Sequence, residues 1–286
     1  MTSWIQAAPR KPIEKNSFLF ETTEAGFCSQ FNNYLYSVMY ASSVNTPLYV
    51  NDTTNAVSVH YPLIKNTFVN QPNVTFTDTQ VISATSLIRK SAQQKIAGVL
   101  RLYLNMVETP KFREMARKIF AWNPSLLPKI QARLDETLLP DVDVGVHIRA
   151  GDKILTGESK DIPVEAYINA IRKYQKDSNK TTLTIFVMTD SSQRLEKLKE
   201  KKDSSWKIVT LGYPENVNGH VQRDFNAAPL QRRMRAYIEF MTELFYMQTL
   251  PHIICTYSSN IGRFLYLTAD DSTSLVSMDM PVFSPI

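Results

Sequence analysis

From residue 142 onward the chain alternates short β-branched runs with longer stretches of helical periodicity, and this constrains the fold more than any other feature. "VDVGVHI" (142–148), "LTIFVM" (183–188), "KIVTL" (207–211), "HIICTY" (252–257) and "SLVSM" (274–278) have the length and composition of buried strands. Between them lies "VEAYINAIRKYQK" (164–176), where Val164, Tyr167, Ile168, Ile171 and Tyr174 recur at helical spacing. "SQRLEKLKEKK" (192–202) and the long "PLQRRMRAYIEFMTELFYMQTL" (229–250) also read as helices, and "IGRFLYL" (261–267) begins another. Strands alternating with helices call for a parallel sheet covered on both faces, which predicts a Rossmann-like domain.

The first half is less regular. "FLFE" (18–21) and "PLYV" (47–50) are predicted strands, with a helix over "FNNYLYSVMYAS" (31–42) between them. Two further helices are expected, over "SAQQKIAGVLRLYLNMV" and over "PKFREMARKIFAW". The Pro-flanked "LLPDVD" (138–143) marks the expected boundary between lobes 1–140 and 141–286, and a chain of 286 residues is long enough for two.

Composition narrows the partners. A net charge of +5 favours an anionic one, but the basic residues are spread along the chain apart from "QRRMR" (231–235). Nucleic-acid binders concentrate theirs, so none is expected. Cys28 and Cys255 are the only cysteines, which implies reduced thiols rather than a disulfide framework. The start "MTSWIQAAPRKPIEKN" has no apolar signal core and no apolar run reaches bilayer length, so the expectation is a soluble, cytoplasmic product without membrane insertion. In that setting the three Asn-x-Thr matches at Asn51, Asn73 and Asn179 read as chance. GxGxxG is absent, which argues against nicotinamide or flavin.

"DVGVHIRAGDK" (143–153) ends a strand in His147, Arg149, Asp152 and Lys153. In open parallel sheets, ligands bind outside the carboxyl ends of strands where the strand order reverses. For the order 3-2-1-4-5 that crevice brings this strand end beside "CTYSSNIGR" (255–263). There, hydroxyls precede a helix start whose free N–H groups and dipole suit a phosphate, with Arg149 as a bidentate partner. Ser258 or Ser259 could equally serve only as an N-cap.

These residues resemble a known family. "GVHIRAGDK" looks like the His-x-Arg-Arg-x-Asp-Lys segment of the α1,6-, α1,2- and protein O-fucosyltransferases. "FVMTDSS" (186–192) is similar to their strand ending in Thr-Asp, and "ICTYSSNIGRFLYL" (254–267) to their Cys-Thr-Phe-Ser-Ser segment. "AGFCSQFNNYLYSVMYA" (25–41) is similar to the turn and helix of their first lobe. The resemblance is nearest to the α1,6 branch and covers about residues 25 to 268. It implies a GT-B fold of two Rossmann-like lobes, with GDP-fucose held by the C-terminal one. It also implies an inverting reaction with no metal and no cofactor beyond the nucleotide sugar, and a glycan or glycoprotein acceptor.

The resemblance also assigns roles. Arg149 would neutralise the diphosphate, His147 would lie against the nucleotide, and Ser258 and Ser259 would hold phosphate oxygens, at the turn that also carries Asn260 and Arg263. Asp190 would contact the nucleotide, and Glu243, thirteen residues before Thr256, would face the base. Lys153 and Glu158 correspond to the relay that deprotonates the acceptor hydroxyl, with Glu158 as its base and Asp152 and Asp161 as alternatives, and Tyr167, nine residues beyond Glu158, corresponds to a tyrosine on the donor side. Lys153 to Glu158 is one residue longer than in the family. Gly26 would let the chain approach the donor closely, with Gln30 or Asn33 reaching it, although the same stretch also reads as an ordinary helix start. Ala150 stands where most members have a second arginine, so another nucleotide sugar, or a catalytically silent nucleotide binder, is the alternative. The Met and aromatic residues of 229–250 and the charges of 196–202 read as core and solvated helix face.

Overall fold

A computed structural model describes residues 18–43, 45–52, 55, 57, 62–77, 110–157, 159–212, 214, 216–281 and 283. The helix expected over "SAQQKIAGVLRLYLNMV" and the residue Glu158 lie outside the described residues.

Among the described residues, eight strands form two parallel sheets. The first joins β1 (Phe18–Glu21), β2 (Leu48–Asn51) and β3 (Val74–Thr77) in that order, with Phe18 opposite Leu48 and Leu48 opposite Val74. Helix α1 (Phe27–Ser43) makes the crossover from β1 to β2, and the short α2 (Leu63–Thr67) precedes β3. Helix α3 (Pro110–Ile119) falls within the expected segment, whereas β3, α2 and α4 (Leu127–Thr137) had no clear sequence pattern.

The second sheet has the order β6-β5-β4-β7-β8, the reversal expected from the alternation. Its strands are β4 (Val144–Ile148), β5 (Leu183–Thr189), β6 (Trp206–Val209), β7 (His252–Cys255) and β8 (Ser274–Ser277). Short α5 (Asp152–Leu155) and long α6 (Val164–Asp177) link β4 to β5, and α7 (Ser192–Lys201) links β5 to β6. Then α8 (Gln222–Ala227) and α9 (Leu230–Thr249) lead to β7, and α10 (Asn260–Thr268) crosses to β8. Each apolar stripe read from the sequence is buried: Tyr167, Ile168 and Ile171 of α6 and Leu195 and Leu198 of α7 pack with Val144, Val146 and Ile148 on one face. Met241, Leu244 and Met247 of α9 and Phe264 of α10 join the core on the other.

That second core continues into the first half of the chain. Phe31 of α1, Phe68 after α2, Phe120 after α3 and Phe264 of α10 meet edge-on or tilted at ring separations of 4.8 to 5.0 Å between successive neighbours. Aromatic contacts at this range add to area burial. Arg113 donates to the Ala269 carbonyl at the end of α10 at 2.7 Å, and α4 packs against α9. Helices that precede residue 140 therefore hold the helices of the second sheet. Among the described residues, no helix is long and apolar enough to cross a membrane.

Candidate active site

Strand β4 delivers His147 and Arg149 to the carboxyl edge of the sheet, at the reversal between β4 and β7. Ile148 pairs with Thr189, so the next residues, Arg149 and Asp190, leave adjacent strands side by side. Arg149 Nη1 donates to Asp190, and Arg149 Nη2 donates to Asp152 at 3.1 Å. The side chains of Arg149 and Asp190 are only 11% and 18% exposed, so the pair is shielded from water and ions that would weaken it. Asp190 also accepts the N–H groups of Ala150 at 2.9 Å and His220 at 3.2 Å. A guanidinium has five N–H donors, and two carboxylates hold its plane here without using them all. What remains can face an anion.

The segment 216–222 straps this arrangement. Asn218 and His220 accept the N–H groups of Gly151 and Asp152, and Asp152 accepts that of Gln222 at 2.9 Å. The strap lies so close that a Cβ on Gly219 would stand 2.3 Å from the Gly151 nitrogen. Both glycines have positive φ, 71° at Gly151 and 104° at Gly219, which side chains adopt only under strain. Ala150 is buried beside this contact, so backbone fills the space around the position of the family's second arginine.

His147 is 2% exposed and its Nδ1 has no hydrogen-bond partner among the described residues. Burial, and then the Arg149 charge, push its pKa down to about 3, so the imidazole is neutral at physiological pH. Glu243, half-buried on α9, accepts no hydrogen bond among the described residues. Burial first, then the charges of Glu239 and Asp190, raise it to about 8.

The β7–α10 turn is partly satisfied from within and from Asp279, while the buried Thr256 hydroxyl has no partner among the described residues. Ser259 is the N-cap of α10, its hydroxyl accepting the Ile261 N–H at 3.3 Å. Asp279, just beyond β8, accepts the N–H groups of Tyr257 at 2.8 Å and Ser258 at 3.1 Å. The Asn260 N–H has no partner among the described residues, and its side-chain oxygen takes bonds from Asn32 at 3.3 Å and Arg263 at 3.3 Å. Gly262 lets α10 start this close to the turn, because a Cβ there would stand 2.0 Å from the Thr256 carbonyl oxygen. Burial pushes the Cys28 thiol on the first turn of α1 well above its usual pKa, an effect the Arg149 charge opposes.

Several expected contacts fall elsewhere. Tyr167 is 1% exposed in the core, because it belongs to the apolar stripe of α6, and it has no surface for a ligand. Gln30 is buried; its amide takes the Thr23 N–H at 3.0 Å and donates to the Thr23 hydroxyl at 2.8 Å, which orders the β1–α1 turn. The helix begins at Phe27, so this stretch is a helix start, and Gly26 approaches Gln222 of α8 rather than an open cleft. Ser258 is engaged with Asp279 and with Ser159, whose hydroxyl lies 3.1 Å away. Lys153 lies on α5, and its carbonyl accepts the Ser159 N–H at 3.0 Å. Asp161 pairs with Arg194. The strap had one faint signal, the turn-forming "NVNGH" (216–220), and the Asp279 contacts had none.

The chain is similar to the fucosyltransferase NodZ from Bradyrhizobium, with a TM-score of 0.56 and 14% identity over 90% of this chain and 94% of that one. The fold is the GT-B fold of fucosyltransferases. A mutant of Arabidopsis thaliana FUT1 in complex with GDP gives a TM-score of 0.53 at 10% identity, covering 92% of this chain and 71% of that one. POFUT1 in complex with GDP-fucose gives 0.51 at 9% identity, covering 93% and 99%. No protein-family model matches the sequence, and no curated protein matches it.

Proposed function

We propose that this chain is an inverting glycosyltransferase that moves fucose from GDP-fucose to a glycan hydroxyl without a metal. The observation that carries the reading is Arg149, held by two carboxylates at the strand-order reversal of a fold shared with proteins solved bound to GDP and GDP-fucose. The second lobe, 141–286, is taken as the donor side and 1–140 as the acceptor side.

The acceptor oxygen attacks the anomeric carbon, the bond from that carbon to the diphosphate breaks, and GDP leaves with the electron pair. Charge develops on the leaving diphosphate, and a preoriented guanidinium stabilises it with little reorganisation. Arg149 fills that role, assisted by the Asn260 N–H at the positive end of α10. His147, with its orphaned Nδ1, and Glu243, an unpaired carboxylate, suit the nucleoside, where a purine edge offers N–H groups. Asp190 acts by orienting Arg149. The acceptor's proton passes to a carboxylate on the loop after β4, for which Glu158 is proposed, with Lys153 as its partner in proton transfer.

The direct test is thermal stabilisation by GDP, UDP, dTDP and CMP, followed by transfer from GDP-fucose into a mixture of glycan acceptors. Stabilisation by GDP above the others, with fucose appearing in acceptor, is expected. A UDP or dTDP preference would assign another donor, and binding without transfer or hydrolysis would leave a nucleotide-binding protein.

A further inference from the structure

Asp279 belongs to no motif in the sequence, yet it gathers three chain segments. Its carboxylate accepts from the Tyr257 and Ser258 N–H groups and from the hydroxyl of Ser277 at 2.9 Å. Burial pushes its pKa up, but the bonds from Ser258, Ser277 and Tyr257 outweigh it and hold the carboxyl below its usual value. With its N–H held by Asp279, Ser258 places its hydroxyl 3.1 Å from that of Ser159, where either can donate. Ser159 is itself buried and tied back to Lys153. On the other side Phe283 stacks on Tyr266 at 4.1 Å and meets Tyr257 at 5.8 Å, fastening the tail over the turn. Lys160 donates to the Asp279 carbonyl at 3.3 Å.

We propose that Asp279 is a positioning residue for the transfer reaction: through the relay Asp279–Ser258–Ser159 it registers the loop after β4, which faces the acceptor, against the turn that faces the donor diphosphate. The inference rests on the donor site proposed above. Its physical basis is that both halves of such a site sit on loops, and loops hold a reacting geometry only when other groups fix them.

The test is a double-mutant cycle on the full chain with Asp279→Asn and Ser159→Ala, reading kcat, KM for GDP-fucose, GDP affinity by calorimetry, and Tm. Each single variant is expected to lower kcat about tenfold, and the double variant to be no slower than Asp279→Asn alone, because both break one relay. Ser159→Ala should keep GDP affinity within about threefold and a near-parental Tm, a split that general destabilisation would not give. Should Asp279→Asn fail to fold, Ser159→Ala and Ser258→Ala form the same cycle with the same expectation. Multiplicative losses, full activity in both singles, or tighter GDP binding in Asp279→Asn would overturn the inference, the last by showing that the carboxylate occupies a phosphate seat. A parent chain that neither binds GDP nor consumes GDP-fucose would overturn the donor reading itself, and this inference with it.

Discussion

Arg149 and Asp190 leave neighbouring strands of one sheet and close on each other at its carboxyl edge, and the same carboxylate holds the Ala150 N–H at 2.9 Å. Charge, backbone and strand end are thus locked as one unit. Arg149→Ala should abolish transfer, with a loss of roughly two decades or more in kcat/KM, and should weaken GDP far more than guanosine. Asp190→Asn keeps the shape but loosens the guanidinium, and should lower kcat by a smaller factor. Near-parental turnover in Arg149→Ala would end the assignment.

Glu158→Gln tests the base. The amide retains size but cannot take a proton, so kcat should fall by about 10²- to 10⁴-fold with donor affinity nearly unchanged. Lys153→Ala should slow transfer and also lose some donor binding. A fully active Gln variant would pass the role to Asp152, which also holds Arg149, or to Asp161, which is paired with Arg194.

Glu243 makes donor binding pH-dependent. Its folded pKa of about 8 lies above the usual carboxylate range, so near neutrality it is mostly protonated. A purine edge that donates hydrogen bonds requires the carboxylate, so binding expels a proton. GDP affinity should therefore rise with pH, by up to about tenfold per unit, and level off above pH 8. Calorimetry in buffers of different ionisation enthalpy reads that proton directly, and Glu243→Gln should remove it. Stability has the opposite sign. The folded state binds the extra proton between the ordinary carboxylate pKa and 8, so this group's contribution falls as pH rises through that window.

Transfer should survive EDTA, since Arg149 and the start of α10 supply the positive charge. Loss under chelation that Mn²⁺ restores would point to a metal-dependent transferase with a different site.

Gly219→Ala introduces a side chain at φ 104° against the Gly151 nitrogen. Strain and overlap together should cost roughly 3 kcal/mol or more, or displace the strap and with it the Arg149 setting. Chemical denaturation and GDP binding, measured on the same sample, would show which.

The second sheet was legible because its information is local. Each strand is a short β-branched run, each helix has an apolar stripe, and alternation of the two forces parallel order, so β6-β5-β4-β7-β8 and the meeting of β4 with β7 followed from the residues. The first sheet was only partly legible. Val74–Thr77 is too short and too polar to announce a strand, and it becomes one by pairing with β2. Beyond the Ser259 N-cap, what a polar side chain bonds to was not legible. Asp190 reads as a ligand contact until His220 and Ala150 arrive at its oxygens, Tyr167 reads as an active-site tyrosine until α6 turns it into the core, and Asp279 reads as nothing until β8 lies beside β7. Periodicity along the chain decides which face of an element is buried. Which groups meet at the ends of those elements depends on residues distant in sequence, and only the packed tertiary structure brings them together.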